Sequence, residues 1–532
     1  MLKFASCASR AALLLALALL PAPARAQTPS WERAIDDADR AVQQGRYAEA
    51  ERLLAGAVKE AEAFGAEDPR LARALTAQAT FYRILGRIGE AEPLLARAVD
   101  ILDKAPRRDP AELAGVLNDL GFIRQQQGRL ADANALYRRA LGIAEKGLPP
   151  EHPQIATVLS NLATLYQTQG RYAEAEPLYR GALRISEKAL GPEHPAVARA
   201  LGQLGSLYQI QGRYAEAEPL HRRAVAITEK ALGPEHPELA TPFGSLASLY
   251  KAQGRYAEAE PLYRRALIIS QKTLGSDQPA VGTMLNELAE LYRIQGRYAE
   301  AEPLYRRALV IRERALGPDH PDVAMTLGDL GLAFRAQGRY PEAELLYRRA
   351  LAITERALGP EHPEVATSLN TLGELYRVQR RYAEAEPLFR RALDIRERTL
   401  GLEHPAVATS LNNLAAIYYA AGRYGEGEML YRRSLAISEK TLGPAHPNVA
   451  STLSNLAFTL RAEGRVAEAL PLYRRSLSIA EKAFGPEHPN VAAILESYAG
   501  ALRQSGREAE ASDAETRARE IRARAGGATP TR

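Results

Sequence analysis

Residues 153–191 read PQIATVLSNLATLYQTQGRYAEAEPLYRGALRISEKALG, and this stretch decides the fold. Ile155, Leu159, Leu162, Ala163 and Tyr166 recur at steps of three and four, which places them on one face of a helix. Pro153 suits the first helical position, where its missing N–H costs nothing. Gly170 closes that helix and permits a tight turn. A second helix is expected from about Tyr172 to Leu190, with Glu174 and Glu176 early and Arg180, Arg184 and Lys188 late, an order that complements the helix dipole. The turn is short enough to force the two helices antiparallel.

The unit repeats. The turn glycine or its equivalent falls at Gly45, Gly86, Gly128, Gly170, Gly212, Gly254, Gly296, Gly338, Arg380, Gly422, Gly464 and Gly506, steps of 42 residues after a first step of 41. A fixed period of this length marks a stacked repeat architecture. The slot of Ala163 holds Gly or Ala in all twelve units, and the slots of Ala175 and Ala182 are nearly as uniform. Small residues at fixed points let helices approach closely. Of the 24 tyrosines, 22 fall in the slots of Tyr166, Tyr172 and Tyr179, a regularity that assigns them to the core. The terminal units carry polar residues where other units are apolar, Asp37 in the slot of Leu162 and Glu515 in that of Tyr179, as capping units do.

These slots, with phrases such as LGPEHP, NLATLYQTQGRYAEAEPLYR and LNNLAAIYYAAGRY, resemble the tetratricopeptide repeat, and the long period resembles its kinesin light chain subclass. The resemblance covers roughly residues 30–523. It implies an all-α tetratricopeptide-type α-solenoid, a right-handed superhelix of about twelve antiparallel helix pairs whose first helices line a concave groove. The array is expected over 27–523, followed by a disordered tail at 524–532.

The first residues read differently. Lys3 and Arg10 precede the apolar run Ala11–Leu20, and Ala24-Arg25-Ala26 offers a cleavage site. Residues 1–26 are therefore expected to be a signal peptide cut after Ala26, giving a periplasmic or secreted protein of bacterial character. The apolar run is short for a membrane span, which needs about 20 residues, and no stable insertion is expected after cleavage. Cys7 is the only cysteine, so the mature chain would have no disulfide or thiolate site. The net charge of +5 is spread in alternating signs, which gives no signature of nucleic acid binding.

Nothing in the sequence points to catalysis, and no cofactor or metal is expected. Eight of nine histidines directly precede a proline: His152, His194, His236, His320, His362, His404, His446 and His488. Asp68, Asp109 and Gln278 take their place elsewhere, so the position reads as a helix N-cap rather than a ligand. His221 replaces a core tyrosine. Glu174 and Glu176 recur as a solvated helix start, leaving no unique acid–base pair. A proline sits inside the second helix at Pro93, Pro177, Pro219, Pro261, Pro303, Pro387 and Pro471, where it is expected to bend the helix.

The expected function is a non-enzymatic scaffold or adaptor that holds a protein or peptide partner in the groove. A sensor or regulatory subunit controlling a separate effector is the alternative. The resemblance places the slots of Ser160, Asn161, Thr164 and Gln167 on the concave face. Reading along them gives the amides Asn118, Asn161, Asn286, Asn370, Asn412, Asn413 and Asn455, suited to an extended peptide backbone. The slot of Gln167 runs from Gln125, Gln167 and Gln209 to Lys251, Arg293, Arg335 and Arg377, then Tyr419, Arg461 and Arg503. This basic ladder suggests a partner with acidic segments; ion pairs within the array, with Glu287, Glu290, Asp329 and Glu374, are the competing explanation.

Overall fold

In the computed structural model, residues 29–107 and 109–526 are described; the expected signal peptide at 1–26 and residues 527–532 of the expected tail lie outside them. The described residues form 24 α-helices and no strand. They pair as twelve helical hairpins, numbered here as repeats one to twelve. Repeat four runs Pro153–Thr168 and Tyr172–Leu190, as the sequence predicts. The last helix is Glu508–Gly526. The chain divides into two compact units: one comprises the described residues of Met1–Thr168, Ala173–Leu204 and Ala226–Ala231, the other Gln169–Tyr172, Gly205–Val225 and the described residues of Leu232–Arg532.

Local chemistry sets the helix ends. Each of the eight histidines before proline accepts the backbone N–H two residues on at its Nδ1, from His236 with Glu238 at 3.3 Å to His404 with Ala406 at 3.0 Å. Asp68 and Asp109 cap in the same way through a carboxylate. At the turn inside each repeat the chain takes a left-handed residue: Gly128 N–H donates to Gln125 O at 3.0 Å and Arg129 N–H to Arg124 O at 2.9 Å. Arg380 holds that conformation with φ 60°, the single non-glycine residue with positive φ among the described residues.

One helix departs from the pattern. The first helix of repeat six begins as a 3-10 turn, Pro237–Leu239, and only then continues as Ala240–Ala252. Pro242 is the cause consistent with this break: it has no N–H to return to Glu238 O, so the first α-helical turn loses a bond. The second-helix prolines leave their helices unbroken; Tyr172–Leu190 and Tyr382–Leu400 run 19 residues each through Pro177 and Pro387.

The small slots do what overpacking arguments require. Tyr137, Tyr347 and Phe389 of second helices lie across Gly121, Gly331 and Gly373 of first helices, where a methyl would come within 2.9, 2.4 and 3.0 Å of the ring. Buried aliphatic side chains fill the space inside each repeat and against the one before it, as in the cluster of Val365, Ala366, Leu369, Ala392 and Ile395 of repeat nine, on which Leu351 of repeat eight packs. Burying a Val, Leu or Ile of this kind contributes about 1.5–3 kcal/mol.

The recurring acidic pair is not merely a solvated helix start. Arg255 donates to Glu218 of the preceding repeat at 2.7 Å and to its own Glu258 at 2.7 Å, while lying 4.0 Å over the Tyr250 ring. Arg297, Arg339, Arg381, Arg423 and Arg465 make the same two pairings. The residue equivalent to Glu176 thus ties one repeat to the next. Exposed pairs contribute roughly 0.2–1 kcal/mol each, so the weight lies in their repetition.

Candidate peptide groove

Within each unit, first helices of neighbouring repeats touch one another, whereas second helices pack mainly on first helices. Closer spacing of the first helices makes their layer the inner one. The expected groove residues lie on these first helices, and the two units are described in turn.

In the first unit, Asn161 Nδ2 donates to Asn118 Oδ1 at 2.8 Å, and Asn118 is buried. Gln167 Oε1 accepts from Tyr179 O–H at 3.2 Å. The two amides join neighbouring repeats instead of standing free.

The second unit repeats that device. Asn286 Nδ2 donates to Asp329 Oδ2 at 2.6 Å and Asn455 Nδ2 to Asn412 Oδ1 at 3.3 Å, each across the same sequence separation as Asn161 and Asn118. Gln209 Nε2 reaches Ser248 Oγ at 3.2 Å. Asn370 and Asn413 occupy the corresponding positions of their two repeats. There no bond forms: both polar atoms of the Asn370 amide lack a hydrogen-bond partner, although the residue is only 8% exposed.

The basic ladder is largely neutralised from within. Lys251 meets Glu287 at 3.0 Å. Arg293 forks onto Glu290 at 2.7 Å for both bonds, and Arg377 onto Glu374 at 2.7 and 2.6 Å. Arg335 has only a 3.9 Å approach to Glu374. Arg461 lies 4.9 Å over the Phe458 ring and donates to Ser497 O at 3.4 Å. Among these carboxylates, burial pushes Asp329 up to about 6 against the opposing hydrogen bond from Asn286. Burial also acts upward on Glu290, but the Arg293 fork outweighs it and holds the group below its ordinary value.

Two groove features involve neither amides nor cations alone. Tyrosines of second helices reach the groove with their hydroxyls: Tyr137 donates to Gln125, Tyr263 to Glu287 and Tyr305 to Glu290 at 3.0–3.2 Å. Later in the groove Tyr419 packs on Phe458 at 5.1 Å and on Tyr424 at 5.3 Å between ring centroids. Phe458 occupies the slot of Thr164, so reading that slot down the chain would have shown it.

Among the described residues no group of three or more His, Cys, Asp or Glu is placed to hold a metal ion, and no helix is long and apolar enough to cross a membrane.

The chain belongs to the tetratricopeptide repeat family: the family model matches residues 41–104, 112–188, 154–230, 197–272, 240–309, 280–356, 346–398, 364–440, 406–460 and 448–524. Comparison with curated proteins finds no match. Similar solved structures include BtubC (BKLC) from P. vanneervenii, 27% identical over 47% of this chain and 94% of that one, with a TM-score of 0.37. A putative kinesin light chain from Podosopora anserina with nearly identical TPR-like repeats is 32% identical over 39% of this chain and 98% of that one, TM-score 0.33. A Rap protein complexed with Competence and Sporulation Factor is 15% identical over 78% of this chain and 99% of that one, TM-score 0.47.

Proposed function

We propose that this protein is a non-enzymatic scaffold that holds an extended segment of a partner protein along its first helices. The observation that carries this reading is Asn370. An amide costs free energy when buried without partners, and this one keeps a donor and an acceptor unused where its counterparts pair with the next repeat. A peptide backbone supplies both complements once the Asn370 side chain, whose polar atoms are covered in this structure, turns outward. Tyr419 and Phe458 offer an apolar anchor further along. The preference for acidic segments narrows to Arg335 and Arg461, since Lys251, Arg293 and Arg377 already have close carboxylates. We also propose that the chain works outside the cytoplasm after loss of residues 1–26.

The test is selection of displayed random peptides on the full chain, followed by affinity measurement. Asn370→Ala should weaken the selected peptides about tenfold or more, the scale of a buried hydrogen-bond pair. Arg335→Ala should weaken only those with acidic residues. Peptides indifferent to Asn370→Ala, Tyr419→Ala and Arg335→Ala would refute the groove reading. Fractionation of cells expressing a tagged chain tests the location; retention in the cytoplasm with residues 1–26 uncut would overturn it.

A further inference from the structure

Arg335 and Arg461 differ from the other cations of their row, and both in the same way. From repeat six onward, within the second unit, the row holds Lys251, Arg293, Arg335, Arg377, Arg461 and Arg503. Lys251 meets Glu287, and Arg293 and Arg377 fork onto Glu290 and Glu374, three residues earlier in their own helices. Arg503 reaches Glu508 at 3.0 Å and Glu515 at 2.7 Å. Three residues before Arg335 and Arg461 stand Leu332 and Phe458, which have no side-chain acceptor. Arg335 has only its 3.9 Å approach to a carboxylate that Arg377 already forks, and Arg461 only a 3.4 Å bond to Ser497 O beside the Phe458 ring. Arg461 also lies over Gly500, where an added methyl would collide with its Nη1.

The second helices of these two repeats are exceptions as well. In repeat seven Tyr305 gives its O–H to Glu290 at 3.0 Å. Tyr347 of repeat eight and Tyr473 of repeat eleven hold the same position, are 1% and 0% exposed, and have hydroxyls with no hydrogen-bond partner. The cause is the same exchange: Leu332 and Phe458 stand where the acceptor would be, and a guanidinium offers donors only. Burial raises both phenols above their ordinary value, against the pull of Arg335 on Tyr347 and of Arg461 on Tyr473. Each hydroxyl therefore keeps its proton and remains a donor. A buried donor left unpaired costs free energy, and here it lies near a cation that has no carboxylate of its own. One carboxylate satisfies both groups, because it accepts a forked pair of bonds from arginine and a further bond from an O–H.

We propose that repeats eight and eleven carry two matched carboxylate receptors, Arg335 with Tyr347 and Arg461 with Tyr473, which grip two acidic side chains of one extended segment. Resting on the scaffold reading above, this pairing adds two tyrosine donors and a fixed spacing to it. The hydroxyls are covered in this structure, so each carboxylate completes its contacts as the arginine shifts with it. Between the receptors lie Asn370 of repeat nine and Tyr419 of repeat ten, on the path the segment takes. Neighbouring first helices touch, and helices packed at about 8–10 Å put receptors three repeats apart at a separation of roughly 24–30 Å. An extended chain covers that span in about seven to nine residues.

The probes are fluorescein-labelled peptides of Gly, Ser and Asn that carry two glutamates at increasing separations, titrated against the full chain by fluorescence anisotropy at low salt. Affinity should peak at a separation of about seven to nine residues. At the peak it should exceed that of a single-glutamate peptide about tenfold or more, because the second contact forms within the complex. Tyr347→Phe and Tyr473→Phe each remove a hydroxyl that is unpaired in the free protein. They should leave thermal melts unchanged or slightly raised, yet weaken the best peptide about tenfold, the scale of a bond to a charged group. Arg335→Ala or Arg461→Ala should reduce that peptide to the single-glutamate level. Tyr305→Phe, whose hydroxyl already serves Glu290, should leave the affinity alone. The paired receptors are overturned by a flat dependence on separation, by no binding at any separation, by unaltered affinity in either Tyr347→Phe or Tyr473→Phe, or by an equal loss in Tyr305→Phe. Displayed peptides that need Asn370 but carry no paired acidic residues would overturn them too, while leaving the groove reading intact.

Discussion

Arg312 gives the most exacting test of the packing between repeats seven and eight. It is only 2% exposed, and its guanidinium bonds to neutral oxygens alone: Asp322 O at 3.1 Å, Thr326 Oγ1 at 2.5 Å and Thr283 Oγ1 at 3.0 Å. Burial pushes its pKa down, so folding carries this charge at a cost. Replacing Arg312 by Met removes three bonds but orphans none of the acceptors. Thr326 Oγ1 still donates to Asp322 O at 3.0 Å, and Thr283 Oγ1 to Pro279 O at 3.3 Å. The lost charge-assisted bonds, each about 1.5–3 kcal/mol, are offset by a desolvation penalty of several kcal/mol and by burial of an apolar chain. Arg312→Met is therefore expected to be neutral or to stabilise this junction by about 1–4 kcal/mol. Arg312→Lys keeps the charge but loses the fork, and should cost about 3 kcal/mol or more. A long array need not unfold in one step, so the assay is native-state hydrogen exchange over Pro279–Ile294 and Pro321–Ala336. A loss of 2 kcal/mol or more in Arg312→Met would refute the reasoning.

Further outcomes follow from other sites. Burial raises the Asp329 pKa to about 6, above its ordinary 3.8; the native state then holds the proton more tightly, and stability falls as pH rises from about 4 to 6. Asp329→Asn should stabilise at pH 7.5 by up to about 3 kcal/mol, at 1.36 kcal/mol per unit, and by little at pH 3.5; equal gains in denaturant melts at both values would contradict this. Pro387→Ala restores a donor for the Ala383 carbonyl and should slow exchange in Tyr382–Leu400 by up to about 3 kcal/mol; Leu345 and Met429, exposed in the same slot, show that proline is not required there. His194→Ala should cost about 1 kcal/mol at the start of Pro195–Ile210, and His194→Asp should recover it, both read by local exchange.

The helix pairs were legible because one unit states the rule and eleven others repeat it. Pro153, Gly170 and the slots of Ala163 and Tyr179 carry local requirements, and local requirements survive in a linear pattern. His152 and its counterparts were legible as caps for the same reason. Pro242 was visible too, but the strong period around it hid the break it makes in repeat six. What lay across from each slot was harder to read. Asn118, Asn286 and Asn412 looked like free amides until the structure set each beside the next repeat. Glu218 and Glu260 looked like helix starts until Arg255 and Arg297 reached back to them. His446 and Ile210, 236 residues apart, leave no trace in a 42-residue period, because their meeting depends on how small rotations between repeats accumulate.

The tyrosines that cross from second helix to groove have a mechanical consequence. Tyr137, Tyr179, Tyr263 and Tyr305 are rooted in the outer layer and bonded at the tip to Gln125, Gln167, Glu287 and Glu290 of the inner one. Each ring is a rigid strut with only two side-chain torsions. A segment that displaces Glu290 takes away the anchor of the Tyr305 tip, whereas Tyr179 keeps a second bond, to Thr164 Oγ1 at 2.8 Å, so an occupant of the inner layer would load some struts and spare others.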